Sequence, residues 1–409
     1  MSAATTTPAV PAGATPAWPD RIDRRGITAL AFGHACVDTC QGAVPAIIPF
    51  LVHLRGYSYA EASALILAMT FTSSLLQPLF GHLADRRSLT VLLPGGIVVG
   101  ALGIAAVGFT TSPVVTFVAV AISGLGVGAY HPEGARWAHY VSGRRRATGM
   151  SLYSVGGNCG FALGPLLVTP LVLLFGLHGT LGLLVLPVLA TVWLLRDTPR
   201  LQGFRPAAPA TASDTAALRA QDRWGPFTRV AGVAGARSVV YFGVQTFAPL
   251  FLIAQLDVST GTAGAALTVL LVAGAAGTLV GGRVAERIGN RPILVGCMAV
   301  LTPLVLLLTV SGLAASFALM ALLGFFTVGN FSTTVVLGQQ YLPSRIGLAS
   351  GVTLGAAIGI GGVAVALLGI LADATSLTTV LLVVAVFPLI GLALALTLPR
   401  ERVEPRPGR

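Results

Sequence analysis

Apolar runs of about 20 residues, the length that crosses a bilayer as a helix, follow one another along almost the whole chain with only short joints between them. They can be laid out as 27–52, 60–80, 90–110, 113–130 or beyond, 147–175 and 177–195. After a polar stretch they resume as 227–255, 261–284, 292–311, 313–341, 346–372 and 376–398. A backbone immersed in lipid must satisfy its own hydrogen bonds, and only helices or closed barrels do so. Runs of this length predict an all-α membrane protein with twelve transmembrane helices. Composition agrees, since only 10% of residues are charged against about 25% in soluble domains. Fifty glycines and 25 prolines suit helices that approach closely and tolerate breaks.

A net charge of +11 would suggest nucleic acid in a soluble protein. Here every basic residue is arginine, and nearly all flank apolar runs, so the charge encodes topology and no nucleic-acid partner is expected. With the N-terminus inside, 23 of the 25 arginines fall on the inner side, leaving Arg55 in an outer loop and Arg237 within a helix. Both termini are therefore expected in the cytoplasm, with the chain a multi-pass protein of the cytoplasmic membrane. The organisation that follows is a disordered tail over 1–26, a six-helix bundle over 27–195, a cytoplasmic linker over 196–226, a second bundle over 227–398 and a tail over 399–409. The four cysteines all lie in apolar runs, without the paired spacing of a metal site or a disulfide framework. No metal or other cofactor is expected.

The two bundles repeat each other. Gly81-His-Leu-Ala-Asp85-Arg86 after the second run matches Gly282-Arg-Val-Ala-Glu286-Arg287 after the eighth, at an offset of 201. Gly149, Gly157 and Gly160 match Gly351, Gly359 and Gly362 at an offset of 202. Related halves in a membrane protein place a binding cavity near the midplane between them.

Polar groups inside the runs are the functional candidates, because a carboxylate at the centre of a membrane helix costs at least about 2.5 kcal/mol on insertion scales. Asp38 is the foremost, with His34 four residues before it and Gln41 three after, all on one helix face. In the seventh run Arg237, Tyr241 and Gln245 recur every fourth residue. Arg237 and Asp38 each lie about 15 Å along their helices, at about 1.5 Å per residue. They are expected to face the same cavity, where Arg237 either pairs with Asp38 or holds an anionic substrate group through its planar fork. Asn158 is a further cavity candidate. His131, Glu133 and Arg136, near the inner end of the fourth run, are expected either to relay protons as a cluster or to anchor the helix as an ion pair. Gly156, Gly160 and Gly164-Pro165 give the fifth run a packing face and a kink.

The Gly-x-Leu-Ala-Asp-Arg loop, with its second copy from Gly282 to Arg291, resembles the signature loop of the major facilitator superfamily. That resemblance implies two pseudo-symmetric six-helix halves rocking about a central site, with Gly81, Asp85, Arg86, Arg136, Glu286, Arg287 and Arg291 as inner-face latch residues and a monomer as the working unit. The first copy has Ser88 where glycine is usual. The fifth run resembles the antiporter motif of drug-proton exchangers, although residues 166–169 lack its closing glycines, and Val120 stands where many members carry an arginine.

Gly33-His34, Asp38, Gln41-Gly42, Gln77-Pro78, His131-Pro-Glu133-Gly-Ala-Arg136 and Ser154-Val-Gly156-Gly157-Asn158 together resemble the fosmidomycin-resistance family of drug-efflux proteins. The implied function is proton-coupled export of a small drug-like or anionic molecule, with Asp38, His34, His131 and Glu133 handling protons. Uptake of a nutrient or organic anion by proton symport suits the same cavity. A membrane sensor or scaffold would need a folded extramembrane domain, and no segment is long enough for one. Neither a nucleophile–base set nor a Gly-x-x-x-x-Gly-Lys loop occurs, so an enzyme or ATP-driven pump is not expected.

Overall fold

The computed structural model describes residues 21–75, 90–143, 146–204, 221–345, 348–349 and 351–399, and among these there is no strand. Asp23 opens α1 (Arg24–Arg55) by accepting a hydrogen bond from Gly26 N, and Gly56 closes it with φ 66°. A capping box between Ser58 and Glu61 starts α2 (Tyr59–Thr70), which continues as a π-helical turn over Phe71–Leu75. Next come α3 (Leu92–Ala106), α4 (Pro113–Val141), α5 (Arg146–Phe175) and α6 (Val185–Leu201). The second group is α7 (Trp224–Leu256), α8 (Thr260–Ile288), α9 (Asn290–Leu308), α10 (Leu313–Gly329), α11 (Phe331–Tyr341), α12 (Ala357–Ala374), α13 (Leu377–Val384) and α14 (Phe387–Leu396).

Ten stretches among the described residues are long and apolar enough to cross a membrane. One of them, Gly149–Phe204, carries two of the expected spans, separated by the 3₁₀ turn Gly176–Leu184. The second expected span, 60–80, runs past the described residues, so the full count of twelve is not fixed by these stretches. Two expected spans are broken helices. The 313–341 span divides at Asn330, where φ −96° and ψ 4° interrupt the ladder and the side-chain amide donates to Phe326 O at 3.2 Å. The last span divides between α13 and α14 just before Pro388, which has no N–H to continue the ladder.

Two kinds of packing fix the position of the central site. Within the first group, α1 and α5 lie main chain against main chain. A Cβ at Gly156 or Gly160 would overlap the backbone of Ala31 or Ala35, and one at Gly164 would overlap Gly42 and Ala43. This is the small-residue packing of membrane helices, in which close backbone approach supplies dispersion contact where no hydrophobic driving force exists.

Between the groups, α2 meets α12 and α5 meets α8 at the face away from the chain termini. There Tyr59 N and Ala60 N both donate to the Asp373 carboxylate, at 2.8 Å each. Glu61 N donates to Ser58 Oγ at 3.1 Å and Ser58 N to the Glu61 carboxylate at 2.9 Å. All four orphan donors of the α2 N-terminus are thereby satisfied, two of them by the other helix group.

Candidate functional site

Asp38 sits in the middle of α1, 3% exposed, with a histidine on each side of its carboxylate. His34 Nε2 lies 3.3 Å from Oδ2 and His131 Nε2, from α4, lies 3.2 Å from Oδ1. The other nitrogen of each ring is also engaged: His34 Nδ1 donates to Tyr153 O at 2.9 Å and His131 Nδ1 to Val127 O at 2.8 Å. The two imidazoles meet edge to face with centroids 5.0 Å apart. Tyr153 stacks on His34 at 4.1 Å, and Tyr130 donates its hydroxyl to Leu30 O at 2.6 Å beside them. Gly157 of α5 makes the space, because a Cβ there would overlap both the His34 ring and the Asp38 carboxylate.

One turn further along α1, Gln41 reaches the central cavity and donates to Ser73 Oγ at 2.9 Å. The cavity, about 960 Å³ including its open side, is lined from both helix groups, by Gln41 and Asn158 on one side and by Arg237, Tyr241 and Gln245 on the other. Arg237 is 3% exposed and forms no ion pair among the described residues. Its guanidinium lies over the Phe331 ring at 4.9 Å and grazes Ser238 Oγ at 3.5 Å, while Nε has no partner. Oε1 of the buried Gln245 has none either. A buried cation that borders a cavity and has no acidic counterpart among the described residues carries an unneutralised charge that an anion would satisfy. Tyr241, one turn after Arg237 on α7, lines the same cavity.

The sequence left open whether Arg237 pairs with Asp38. In this conformation Asp38 contacts His34 and His131 instead. The expected His131–Glu133–Arg136 cluster is also not formed as a unit. His131 turns to α1, whereas Glu133, fully buried, accepts from Trp137 Nε1 at 2.9 Å and pairs with Arg136 at 3.3 Å. Positions two apart on a helix point in different directions, and the chemistry divides accordingly.

Of the latch residues, Gly81, Asp85 and Arg86 lie outside the described residues, as does the Glu286 side chain. Arg287 is exposed at the end of α8. Arg291 donates to Leu396 O at 2.8 Å, tying the start of α9 to the end of α14. Gly156, Gly160 and Gly164 form the α1–α5 seam, with Pro165 inside α5. All four cysteines are free thiols.

Tyr130 and Tyr153 flank the cluster with no sequence signal that singles them out, and Gly157, visible in the repeat and in the Ser154-Val-Gly156-Gly157-Asn158 motif, gives no hint there of its contact with His34 and Asp38. The ligand atoms of His34, Asp38 and His131 lie within 4.8 Å of one another, a spacing common to metal sites and to proton-sharing clusters.

The Major Facilitator Superfamily profile matches residues 30–352 and again 233–409. The chain is 30% identical over 383 residues to the uncharacterized MFS-type transporter YfnC of Bacillus subtilis (strain 168), covering 90% of this chain and 91% of that one. It is 29% identical to the fosmidomycin resistance protein of Escherichia coli (strain K12), over 91% of this chain and 92% of that one. Among solved structures, a bacterial homolog of the human lysosomal transporter Spinster superposes with a TM-score of 0.73 at 13% identity, covering 90% of this chain and 95% of that one. The nucleoside transporter NupG gives 0.70 at 14%, covering 90% and 98%. Helix content, apolar stretches, matched profile and structural likeness agree: the chain is an all-α membrane transporter and belongs to the major facilitator superfamily.

Proposed function

We propose that this chain is a proton-coupled antiporter of the cytoplasmic membrane, exporting a small anionic, drug-like molecule through alternating access of the central cavity. The observation that carries the reading is Arg237, buried, without an acidic partner among the described residues and bordering a cavity lined from both helix groups. A carboxylate, phosphate or phosphonate would satisfy its fork, with Tyr241, Gln245, Gln41 and Asn158 supplying neutral hydrogen bonds. The His34–Asp38–His131 cluster, one helical turn from Gln41, is the proton site in this reading. Glu133 and Arg136 are assigned a structural role at the end of α4. The termini face the cytoplasm, which puts the Asp373 contact outside. The fosmidomycin resistance protein among the relatives makes fosmidomycin the first compound to test.

Proton symport of an anion inward is favoured by one observation. Arg237 and a protonated cluster both attract an anion, so substrate and protons assist each other's binding, and binding linkage is reciprocal. The sign of proton flux decides. In inside-out vesicles with an acidic lumen, adding fosmidomycin outside should alkalinise the lumen if the protein exchanges, and acidify it if anion and protons travel together. Either response should vanish in Asp38→Asn and weaken in Arg237→Gln. Compound flux with no proton movement, unchanged in both variants, sinks the reading.

A further inference from the structure

We infer that the His34–Asp38–His131 cluster carries two exchangeable protons, one in each histidine–carboxylate contact, so that the transporter takes up and releases protons in pairs. This rests on the reading above that the cluster is the proton site, and it adds a count that follows from hydrogen-bond direction alone.

A main-chain carbonyl only accepts. Tyr153 O and Val127 O therefore fix a hydrogen on Nδ1 of His34 and of His131. A neutral imidazole has one N–H, so each neutral ring would present a bare lone pair at Nε2. Both Nε2 atoms face carboxylate oxygens, His34 toward Oδ2 at 3.3 Å and His131 toward Oδ1 at 3.2 Å. Lone pair against lone pair repels at that distance, and a proton between them turns the contact into a charge-assisted hydrogen bond. The two contacts use different oxygens, so one proton cannot serve both. Buried Oδ1 has no other hydrogen-bond partner among the described residues to relieve it.

Fully loaded, the cluster is one carboxylate with two imidazolium rings, net charge +1. Stripped of both protons it is −1, with both contacts repulsive. Each proton comes from water on one side of the membrane and returns to water on the other, and only N–H and O–H bonds form and break.

The groups that face the cluster do not confuse this count. They are Tyr130 from α4, Tyr153 from α5, Tyr241 from α7 and Cys40 from α1 itself, each interacting electrostatically with Asp38. Tyrosine and cysteine are ordinarily neutral at pH 7, and Tyr130 already donates its hydroxyl to Leu30 O. Arg237, which borders the cavity that Gln41 also lines, is the neighbouring permanent charge. Gly157 holds the geometry by leaving the carboxylate and the His34 ring in contact.

The first measurement needs no substrate. The full-length protein, in lipid nanodiscs with ¹⁵N-labelled histidine, has six histidines, and His34→Gln and His131→Gln identify the two signals. On raising pH, both rings should pass from doubly protonated to the Nδ1–H tautomer, and neither should show the Nε2–H tautomer common in solution. A difference titration against the His34→Gln/Asp38→Asn/His131→Gln variant should release two protons more from the wild type. An Nε2–H tautomer at either ring, a difference of one proton, or a stoichiometric transition metal retained by the purified protein overturns the inference.

The second measurement is the pH gradient that holds a fosmidomycin gradient at zero net flux in proteoliposomes. It should correspond to two protons per molecule in the wild type and one in His131→Gln, and one in the wild type overturns the inference. If fosmidomycin is not moved at all, the substrate proposed above fails, while the tautomers and the proton difference still decide the count.

Discussion

At the scale of single residues, the site separates into a His34–Asp38–His131 cluster on α1 and α4, the proposed proton site, and Arg237 on α7, the proposed anion contact. Arg237→Gln removes the charge but retains amide hydrogen bonding. A charged hydrogen bond contributes about 1.5–3 kcal/mol, so binding of an anionic compound should weaken by roughly 10- to 100-fold, as read by isothermal calorimetry. Arg237→Lys should recover only part of this, because an ammonium lacks the planar fork. Equal affinity in wild type and Arg237→Gln would remove Arg237 from the binding site.

A second substitution probes the cluster from outside it. Gly157→Ala pushes a methyl into the His34 ring and the Asp38 carboxylate, and substrate-driven proton flux in vesicles should fall at least about 10-fold, the effect of a disturbance near 1.4 kcal/mol. The half of the cluster that lies on α1 was legible in the sequence, since His34 and Asp38 are one turn apart. The other half was not. His131 reaches Asp38 from another helix, while its sequence neighbours Glu133 and Arg136 pair with each other. That Asp38 avoids Arg237 was equally illegible, because spacing gives the depth of a residue along a helix and not the distance between helices.

At the scale of elements, the apolar runs fixed where helices lie but not where they break. Asn330 and Pro388 interrupt spans that hydropathy alone reads as continuous, because the breaks come from a side-chain amide and a missing donor. The glycines of α5 were recognisable as a packing face, yet only the folded chain reveals that their partner is α1.

This seam makes opposite predictions for similar substitutions. Alanine is favoured over glycine in a helix by about 1 kcal/mol. Gly95→Ala in α3, where an added Cβ meets nothing within 4 Å, should leave the melting temperature unchanged or raise it. Gly160→Ala drives a methyl into the Ala35 main chain, and overpacking of this kind costs about 1–3 kcal/mol. A thermal melt of the two variants in the same detergent checks the contrast, and equal shifts would mean that the seam relaxes.

At the scale of the whole molecule, the two helix groups are joined at the face away from the termini by Asp373 capping α2. The alternating access proposed above requires this contact to part. Asp373 is exposed, so water screens it, and the pair of hydrogen bonds contributes about 1 kcal/mol, the scale of an anion at a helix N-terminus. Asp373→Asn should therefore shift the population toward the state open at that face by about 5-fold, measurable as a longer distance between spin labels on α2 and α12. An unchanged distance distribution would show that the closure is carried by the apolar contacts alone.

The α1–α5 seam also has a bearing on how such a protein changes over generations. Where main chain touches main chain, almost any replacement is a wedge, so those two helices have little freedom to vary. Helix α7 is freer along its first turns, where Gly232 and Gly235 look onto the side chains of Leu394 and Ile360, and is held by main-chain contact further on, where a Cβ at Gly361 of α12 would meet the Ser238 backbone. Under selection for a new cargo, novelty would therefore enter through the side chains that line the cavity, with the helices behind them kept in place.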